Sequence, residues 1–290
     1  MSTSSRKLLP RRPVPWHPLV HIVVEGIPLF AIYVGVQIGE DVLGRLIPAP
    51  ARVEFRVVMN LAAAVLMLIC YRLSVQLHER RSAYEAGRRH LVDLPAGLAL
   101  GSGLLCVVEL VSMLAGMSYS LGYQGLANVM PELSASMLAA VGEEIIFRGV
   151  LFRLLEEAFG TAAALVASAI VFGLLHTLNP GATITGVVAV ALEAGVLLGL
   201  AYTVARSLWL PIGIHLGWNF TEGGIFGSAV SGGGASAAVF PMVLHGPTLL
   251  TGGTFGLEAS IISIAVCLTA SAILAWFAYK HGRFNRFLRQ

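Results

Sequence analysis

The sequence predicts an all-α fold, a polytopic bundle of membrane-spanning helices, and two observations support this. The chain has 290 residues, of which 56% are hydrophobic and only 12% are charged, and its mean hydropathy is +0.79. Soluble domains of this size carry about a quarter charged residues. Several apolar runs also have the roughly twenty residues that a helix needs to cross the hydrocarbon core. We therefore expect a single integral membrane domain over residues 1–290, surrounded by the lipid bilayer.

The apolar runs, taken in chain order, predict about eight transmembrane helices. They lie at 17–39, 55–77, 95–118, 134–157, 161–178, 183–204, 207–227 and 259–280. Within the later runs, small residues recur at four-residue spacing, as Gly195/Gly199 and Gly213/Gly217. This spacing allows close helix approach, although small residues are also ordinary in apolar helices.

The basic residues predict the orientation of these helices. They fall in three clusters: Arg6, Lys7, Arg11 and Arg12; Arg80, Arg81, Arg88 and Arg89; and Lys280, Arg283, Arg286 and Arg289. By the positive-inside rule all three clusters belong on the cytoplasmic side, and an even number of spans places both termini there as well. The net charge of +3 is small, so we expect no nucleic-acid partner.

Residues 223–256 differ from the apolar runs that flank them. They include "SGGGASAAV" and "HGPTLLTGG", in which Gly and Pro recur too often for a regular helix. We expect a flexible loop outside the membrane, which serves either as a plain linker or as a lid over a site.

The stretch "VGEEIIFRG" at 141–149 places two carboxylates and an arginine inside a predicted span. Each ionisable residue there costs about 2.5–3.5 kcal/mol on insertion scales, which makes the stretch a functional candidate. On a helix, Glu144 and Arg148 share a face, with the acid on the N-terminal side as an ion pair prefers. Glu143 points about 100° away and is left without a local partner. A desolvated carboxylate of this kind suits general acid–base catalysis.

Two later segments add further polar groups within predicted spans. "VFGLLHTLNPG" brings His176, and "SLWLPIGIHLGWNF" brings His215 and Asn219 on one helical face. Glu143 and His176 could activate one water, while His215 and Asn219 donate hydrogen bonds to the oxyanion that forms. This set suits peptide or amide hydrolysis without a covalent intermediate. A zinc site is the competing interpretation, although the HExxH spacing is absent.

These residues resemble the motifs of one membrane-protein family. "GEEIIFRG" resembles the EExxxR signature of the CPBP family, which includes the CAAX proteases and bacteriocin-processing enzymes. "FGLLH" is similar to its FxxxH element, with Phe172 and His176, and "HLGWN" to its HxxxN/D element. The three motifs occur in the expected order within a core at about 134–220, and together they are specific.

The resemblance implies an α-helical intramembrane endopeptidase of the glutamate type. We expect no cofactor, and dependence on a metal stays open as the alternative. Glu143 would activate water with help from His176, and His215 and Asn219 would stabilise the oxyanion. The remaining motif positions are Glu144 and Arg148, which we interpret as an ion pair that holds Glu143 in place. The two adjacent glutamates could also exchange these roles.

The resemblance further implies a membrane-associated protein or peptide as substrate, either prenylated or not. It favours the bacterial plasma (inner) membrane as the location. In the predicted topology, His176 lies toward the non-cytoplasmic end of its span, whereas enzymes that process prenylated proteins are expected to open to the cytosol.

Two other classes of function compete with proteolysis. The first is a non-catalytic membrane protein of the same fold that acts in immunity or as a scaffold. The second is a small transporter that uses Glu25, Glu109 or Glu193 as a proton relay, since each stands alone in an apolar run.

Overall fold

The computed structural model describes residues 17–285, and it confirms the all-α polytopic fold. The N-terminal basic cluster and the last two arginines of the C-terminal cluster, Arg286 and Arg289, lie outside the described residues. In chain order the long helices are α1 (Pro18–Leu46), α2 (Ala49–His78), α3 (Asp93–Leu114), α4 (129–159), α5 (Thr161–Leu178), α6 (Ile184–Ala205), α7 (209–226) and α8 (Ile261–Lys280). Each overlaps one predicted span.

Six of these helices are long and apolar enough to cross a membrane: α1, α2, α3, α5, α6 and α8. The other two, α4 and α7, carry most of the candidate site residues. Helix α4 runs through Val129–Glu144, the π-helical turns of Ile145–Phe152 and Arg153–Phe159. Helix α7 joins Trp209–Asn219 to the π-helical Phe220–Phe226. Both are largely buried among the apolar helices, which shields their polar side chains from lipid.

Helix α1 extends beyond the predicted end of its span at residue 39. The apolar signal stops near Glu40 and Asp41, but the helix continues to Leu46. Arg56 of α2 lies 3.7 Å from Glu40 and 3.5 Å from Asp41, and these contacts stabilise the added turns. The hydropathy pattern marks the apolar stretch and not the full helix.

Glycine contacts set the position of α7 against α3. A Cβ at Gly213 would lie 2.5 Å from the carbonyl oxygen of Leu94, and one at Gly217 would lie 2.5 Å from that of Leu98. Only glycine permits this backbone approach. Gly195 likewise packs on α5, where a Cβ would lie 2.8 Å from the Cα of Ala169. The small-residue spacing therefore marks real helix contacts.

The segments predicted to share the cytoplasmic side lie together at one end of the bundle. Arg153 near the end of α4 contacts Glu79 after α2, and the backbone N–H of Leu208 donates to the Glu85 carbonyl at 2.8 Å. The backbone N–H of Thr161 donates to the carbonyl of Asn285, beyond α8, at 3.1 Å. This grouping agrees with alternating helix directions, while the assignment of that end to the cytoplasm stays a prediction.

The segment between α7 and α8 folds over the opposite end. Its strand β2 (Met242–Leu244) pairs antiparallel with β1 (Ser118–Ser120), which follows α3. The Gly181 N–H, just after α5, donates to the Gly232 carbonyl at 2.9 Å. The helix before this segment continues to Phe226, past the predicted loop start at 223, in π-helical turns that include both glycines of FTEGGIF.

Candidate active site

The ion pair expected from the motif spacing is present on α4. Arg148 Nη1 donates to Glu144 Oε1 at 3.0 Å, and both side chains are buried. Arg148 Nη2 also donates to the carbonyls of Ala194 and Gly195, at 3.0 and 3.2 Å. These carbonyls lie in the π-helical turn of α6, where the regular hydrogen-bond ladder changes register. One carboxylate and two carbonyls thus hold the buried guanidinium and join α4 to α6.

The same carboxylate oxygen orients a histidine on α7. His215 Nδ1 lies 3.0 Å from Glu144 Oε1. Because an ionised carboxylate only accepts hydrogen bonds, the Nδ1–H donates and Nε2 is left for another partner. The Glu144–Arg148 pair is thus hydrogen-bonded to His215 and orients its ring. The motif alone had suggested that the pair holds Glu143 in place.

Glu143 is half-buried and approaches the other nitrogen of that histidine. Its Oε2 lies 4.0 Å from His215 Nε2, and no other residue of the described chain hydrogen-bonds to this oxygen. A gap of 4.0 Å exceeds a direct hydrogen bond, but a water beside it could bond to both groups. Glu143 therefore keeps one oxygen without a hydrogen-bond partner, close to His215.

Tyr33 of α1 is a contact that the sequence analysis missed. Its hydroxyl donates to Glu143 Oε1 at 3.1 Å. A Cβ at Gly142 would lie only 2.5 Å from the Tyr33 ring, so the glycine before the two acids makes room for the tyrosine. Two features of the sequence could have indicated this contact: the glycine directly before the two glutamates, and the tyrosine hydroxyl within the first apolar run.

His176 is held in one tautomer at the end of α5. Its Nδ1 lies 2.8 Å from the carbonyl oxygen of Phe172, so Nδ1–H donates and Nε2 keeps a free lone pair. The Phe172 ring lies 4.7 Å from the His176 ring and 6.4 Å from that of His215. It also faces the Arg148 guanidinium at 4.8 Å. The phenylalanine of the second motif therefore packs between the groups of the other two.

Three of the four predicted catalytic residues line one cavity: His176, His215 and Asn219. Glu143 does not line it and reaches it only through His215. Ser231 and Glu258, from the segment between α7 and α8, also line the cavity. It lies toward the end of α5 that is remote from the arginine-rich loop, in agreement with the predicted depth of His176.

The geometry bears on the competing zinc interpretation. Within residues 17–285, no three His, Cys, Asp or Glu side chains are arranged to hold a metal ion. Glu144, the acid nearest His215, already accepts from both Arg148 and His215. These side chains are thus arranged for hydrogen bonding. The effect of a chelator on activity is a direct test of metal dependence.

Comparison with known proteins identifies the same region. Residues 126–221, about a third of the chain, match the family model described as type II CAAX prenyl endopeptidase Rce1-like. No curated protein and no solved structure matches the chain. The matched segment runs from the start of α4 into α7 and contains all three motifs. This segment of the chain is therefore similar to the CAAX prenyl endopeptidases of the CPBP family.

Proposed function

We propose that the protein is a glutamate-type intramembrane endopeptidase in which Glu143 activates the attacking water. The observation that carries the proposal is the free Oε2 of Glu143, which faces His215 Nε2 at 4.0 Å. This places an acceptor for a water proton beside the ring that borders the cavity. The arrangement meets the first requirement for a general base, which is hydrogen-bond reach to the proton it takes.

The surroundings of the two adjacent acids favour Glu143 over Glu144 as the base. The Glu143 side chain is 20% exposed, while that of Glu144 is fully buried. Glu144 Oε1 already accepts two hydrogen bonds, from Arg148 and His215. The Oε2 atoms of both acids are buried and without a partner, so the preference rests on the partly exposed Glu143 side chain and on the two hydrogen bonds that Glu144 Oε1 already accepts.

The cavity side chains suit the charge that develops during hydrolysis. Two carboxylates flank the His215 ring, and a positive charge on it is stabilised by both. In that form Nε2–H can donate to an oxyanion, and the amide of Asn219 borders the same cavity. Donors fixed before the reaction are often the largest catalytic contribution. His176 Nε2, with its free lone pair, would accept a hydrogen bond from the water.

The reaction then follows in two proton transfers. Glu143 takes a proton from water, and the hydroxide oxygen bonds to the carbonyl carbon of the substrate peptide. His215 and Asn219 donate to the resulting oxyanion. The C–N bond breaks as Glu143 returns its proton to the leaving amine nitrogen, which restores the carboxylate. No covalent intermediate forms, and none of these steps requires a cofactor.

The substrate class follows from the location of the site. A cavity among membrane helices is reached most directly by a membrane-associated protein or peptide, either prenylated or anchored by its own apolar segment. The bacterial plasma membrane, with both termini in the cytoplasm, is the proposed location. In this orientation the cavity lies nearer the non-cytoplasmic face.

Cleavage of membrane-anchored fluorogenic peptides by the protein in liposomes tests the proposal. Half of the peptides should carry a prenyl group. We expect cleavage by the wild type, none by Glu143→Gln, and an undiminished rate for Glu54→Gln, a matched change at an exposed acid of α2. Chelator should leave the rate unchanged. Loss of cleavage with chelator would replace the proposal with a metalloprotease, and equal cleavage by Glu143→Gln would contradict it.

A further inference from the structure

Three acidic side chains from separate segments meet beside the cavity. They are Glu193 of α6, Glu222 of α7 and Glu258 just before α8, and their exposed fractions are 2%, 0% and 5%. The Trp218 indole N–H lies 3.0 Å from Glu222 Oε2 and 3.0 Å from Glu258 Oε1, which brings these two carboxyl groups together. We call the three residues the acidic cluster.

The acidic cluster differs from most buried acids of the described chain in its lack of a cation. Four other buried carboxylates are paired with an arginine, in Glu79–Arg153, Glu85–Arg81, Glu144–Arg148 and Glu156–Arg206. Buried Glu25 contacts His21, and buried Glu109 accepts from the Ser118 hydroxyl. Over residues 17–285, the donors that reach the cluster from outside it are the Trp218 indole and the backbone N–H and hydroxyl of Ser231. No arginine, lysine or histidine of the described chain forms an ion pair with these three carboxyl groups.

Glu193 links the acidic cluster to the cavity. It lines the cavity together with His215 and Asn219, and its buried Oε2 has no hydrogen-bond partner among the described residues. A buried acceptor without a partner costs about 1–3 kcal/mol, and more when it is charged. Such an atom on the wall of a cavity is satisfied when a ligand brings a donor.

We propose that the acidic cluster is a subsite for a positively charged substrate side chain, lysine or arginine, next to the cleaved bond. This inference rests on the proposed function, since His215 and Asn219 border the same cavity. The ammonium or guanidinium group would donate to Glu193 Oε2 and neutralise the cluster. Its aliphatic stem would lie along the apolar lining, which includes Leu197, Leu198 and Ile214.

The composition of the cavity agrees with this occupant. Its lining is mostly apolar with a few polar groups, as in other ligand sites. A buried ion pair is favourable only when further hydrogen bonds satisfy the charges. The cluster supplies several carboxyl oxygens for an ammonium with three donors or a guanidinium with five.

A binding measurement tests the subsite without relying on catalysis. Glu143→Gln protein would be titrated with fluorescent membrane-anchored peptides in which each position near the expected cleavage point carries either lysine or norleucine, its uncharged analogue. At one position we expect lysine to bind about tenfold more tightly or better, the usual scale for a buried charge pair. Adding Glu193→Gln should abolish that preference.

The control is Glu109→Gln, which changes a buried acid that accepts from Ser118 at 2.5 Å and does not line the cavity. It should keep the full lysine preference. If Glu193→Gln protein does not fold, Glu222→Gln serves instead, because glutamine still accepts from the Trp218 indole. Equal binding of lysine and norleucine at every position, or a preference that survives both cluster variants, would overturn the subsite.

Cleavage of the same peptides by the protein with Glu143 intact separates the two proposals. Cleavage that depends on Glu143 but ignores lysine and Glu193 would retain the protease and reject the subsite. Lysine binding that depends on Glu193, with no cleavage of any peptide, would retain the subsite and reject the protease.

Discussion

Glu144 Oε1 lies 3.0 Å from His215 Nδ1 and 3.0 Å from Arg148 Nη1, so one oxygen joins helix α4 to the face of α7 that carries His215. Arg148 extends the connection to α6 through the carbonyls of Ala194 and Gly195. The second acid of the motif is therefore the centre of a buried polar network that spans three helices. The first acid, one residue earlier, has an acceptor left for chemistry.

This division of roles predicts different results at adjacent positions. Glu144→Ala leaves Arg148 buried without its carboxylate, and breaking a buried pair costs about 3–5 kcal/mol. Glu143→Ala removes a half-buried side chain and should change the unfolding free energy much less. Denaturant unfolding in a fixed detergent measures both. Equal destabilisation by the two variants would contradict the assignment of Glu144 as the structural acid.

Asn219→Ala tests the oxyanion donor. The amide borders the cavity with His215, and loss of one preorganised donor typically lowers kcat about 100- to 1,000-fold. Because the donor acts mainly on the transition state, KM should change little. Steady-state cleavage of one anchored peptide gives both constants. A rise in KM at constant kcat would instead place Asn219 in ground-state binding of the substrate.

Tyr33→Phe removes one hydroxyl and keeps the ring that packs on Gly142. The hydroxyl donates to Glu143 Oε1 at 3.1 Å, and a hydrogen bond to a charged group contributes about 1.5–3 kcal/mol. Cleavage should therefore slow about tenfold or more. Tyr119→Phe, at an exposed tyrosine of β1, is the matched control and should keep the wild-type rate. An unchanged rate in Tyr33→Phe would remove Tyr33 from the positioning of Glu143.

The contacts between residues close in sequence could be predicted because an α-helix turns once in about 3.6 residues. Glu144 and Arg148, like His215 and Asn219, are four residues apart, and that spacing alone places each pair on one face. The π-helical turns at 145–152 do not disrupt the first pair, whose ion pair remains at 3.0 Å.

The remaining contacts depend on how distant segments pack, which local spacing does not encode. Tyr33 reaches Glu143 across 110 positions of sequence, and His215 reaches Glu144 across 71. Glu193 was recognisable only as an isolated acid in an apolar run. Its association with Glu258 exists because the segment after α7 folds back over the cavity, and a Gly- and Pro-rich composition does not specify that path.

The arginine-rich loop between α2 and α3 predicts that the folded protein loses stability in acid. Burial alone raises the pKa of Glu85, but the hydrogen bonds and charge of Arg81 outweigh it and lower the pKa from 4.5 to about 2. A lowered folded-state pKa gives stability that is complete above the unfolded value and is lost as the pH falls toward the folded value. The unfolding temperature should therefore fall between about pH 4.5 and pH 2.

Arg81→Gln isolates this effect. Without the guanidinium, the folded-state pKa of Glu85 moves back up, so the variant should be less stable at neutral pH and should lose less stability in acid. Arg80→Gln changes the neighbouring exposed arginine and should follow the wild-type curve. Parallel curves for wild type and Arg81→Gln would show that Arg81 does not set the acid sensitivity.

Gly97→Ala tests whether helix packing far from the chemistry positions the catalytic groups. A Cβ at Gly97 of α3 would lie 2.4 Å from the carbonyl oxygen of Leu210 and 2.8 Å from the Gly213 Cα. Because backbone cannot yield as a flexible side chain does, α7 must move away and carry His215 and Asn219 with it. Such overpacking costs about 1–3 kcal/mol, and small displacements of catalytic groups can cost about 100-fold in rate.

Gly103→Ala provides the control on the same helix, since a Cβ there would meet no atom within 4 Å. It should keep or slightly raise stability, because alanine favours helix over glycine by about 1 kcal/mol. We expect Gly97→Ala to lose cleavage in excess of its loss of folded protein, measured by activity per folded molecule. If its specific activity matched that of Gly103→Ala, the α3–α7 contact would support the fold without setting the geometry of the site.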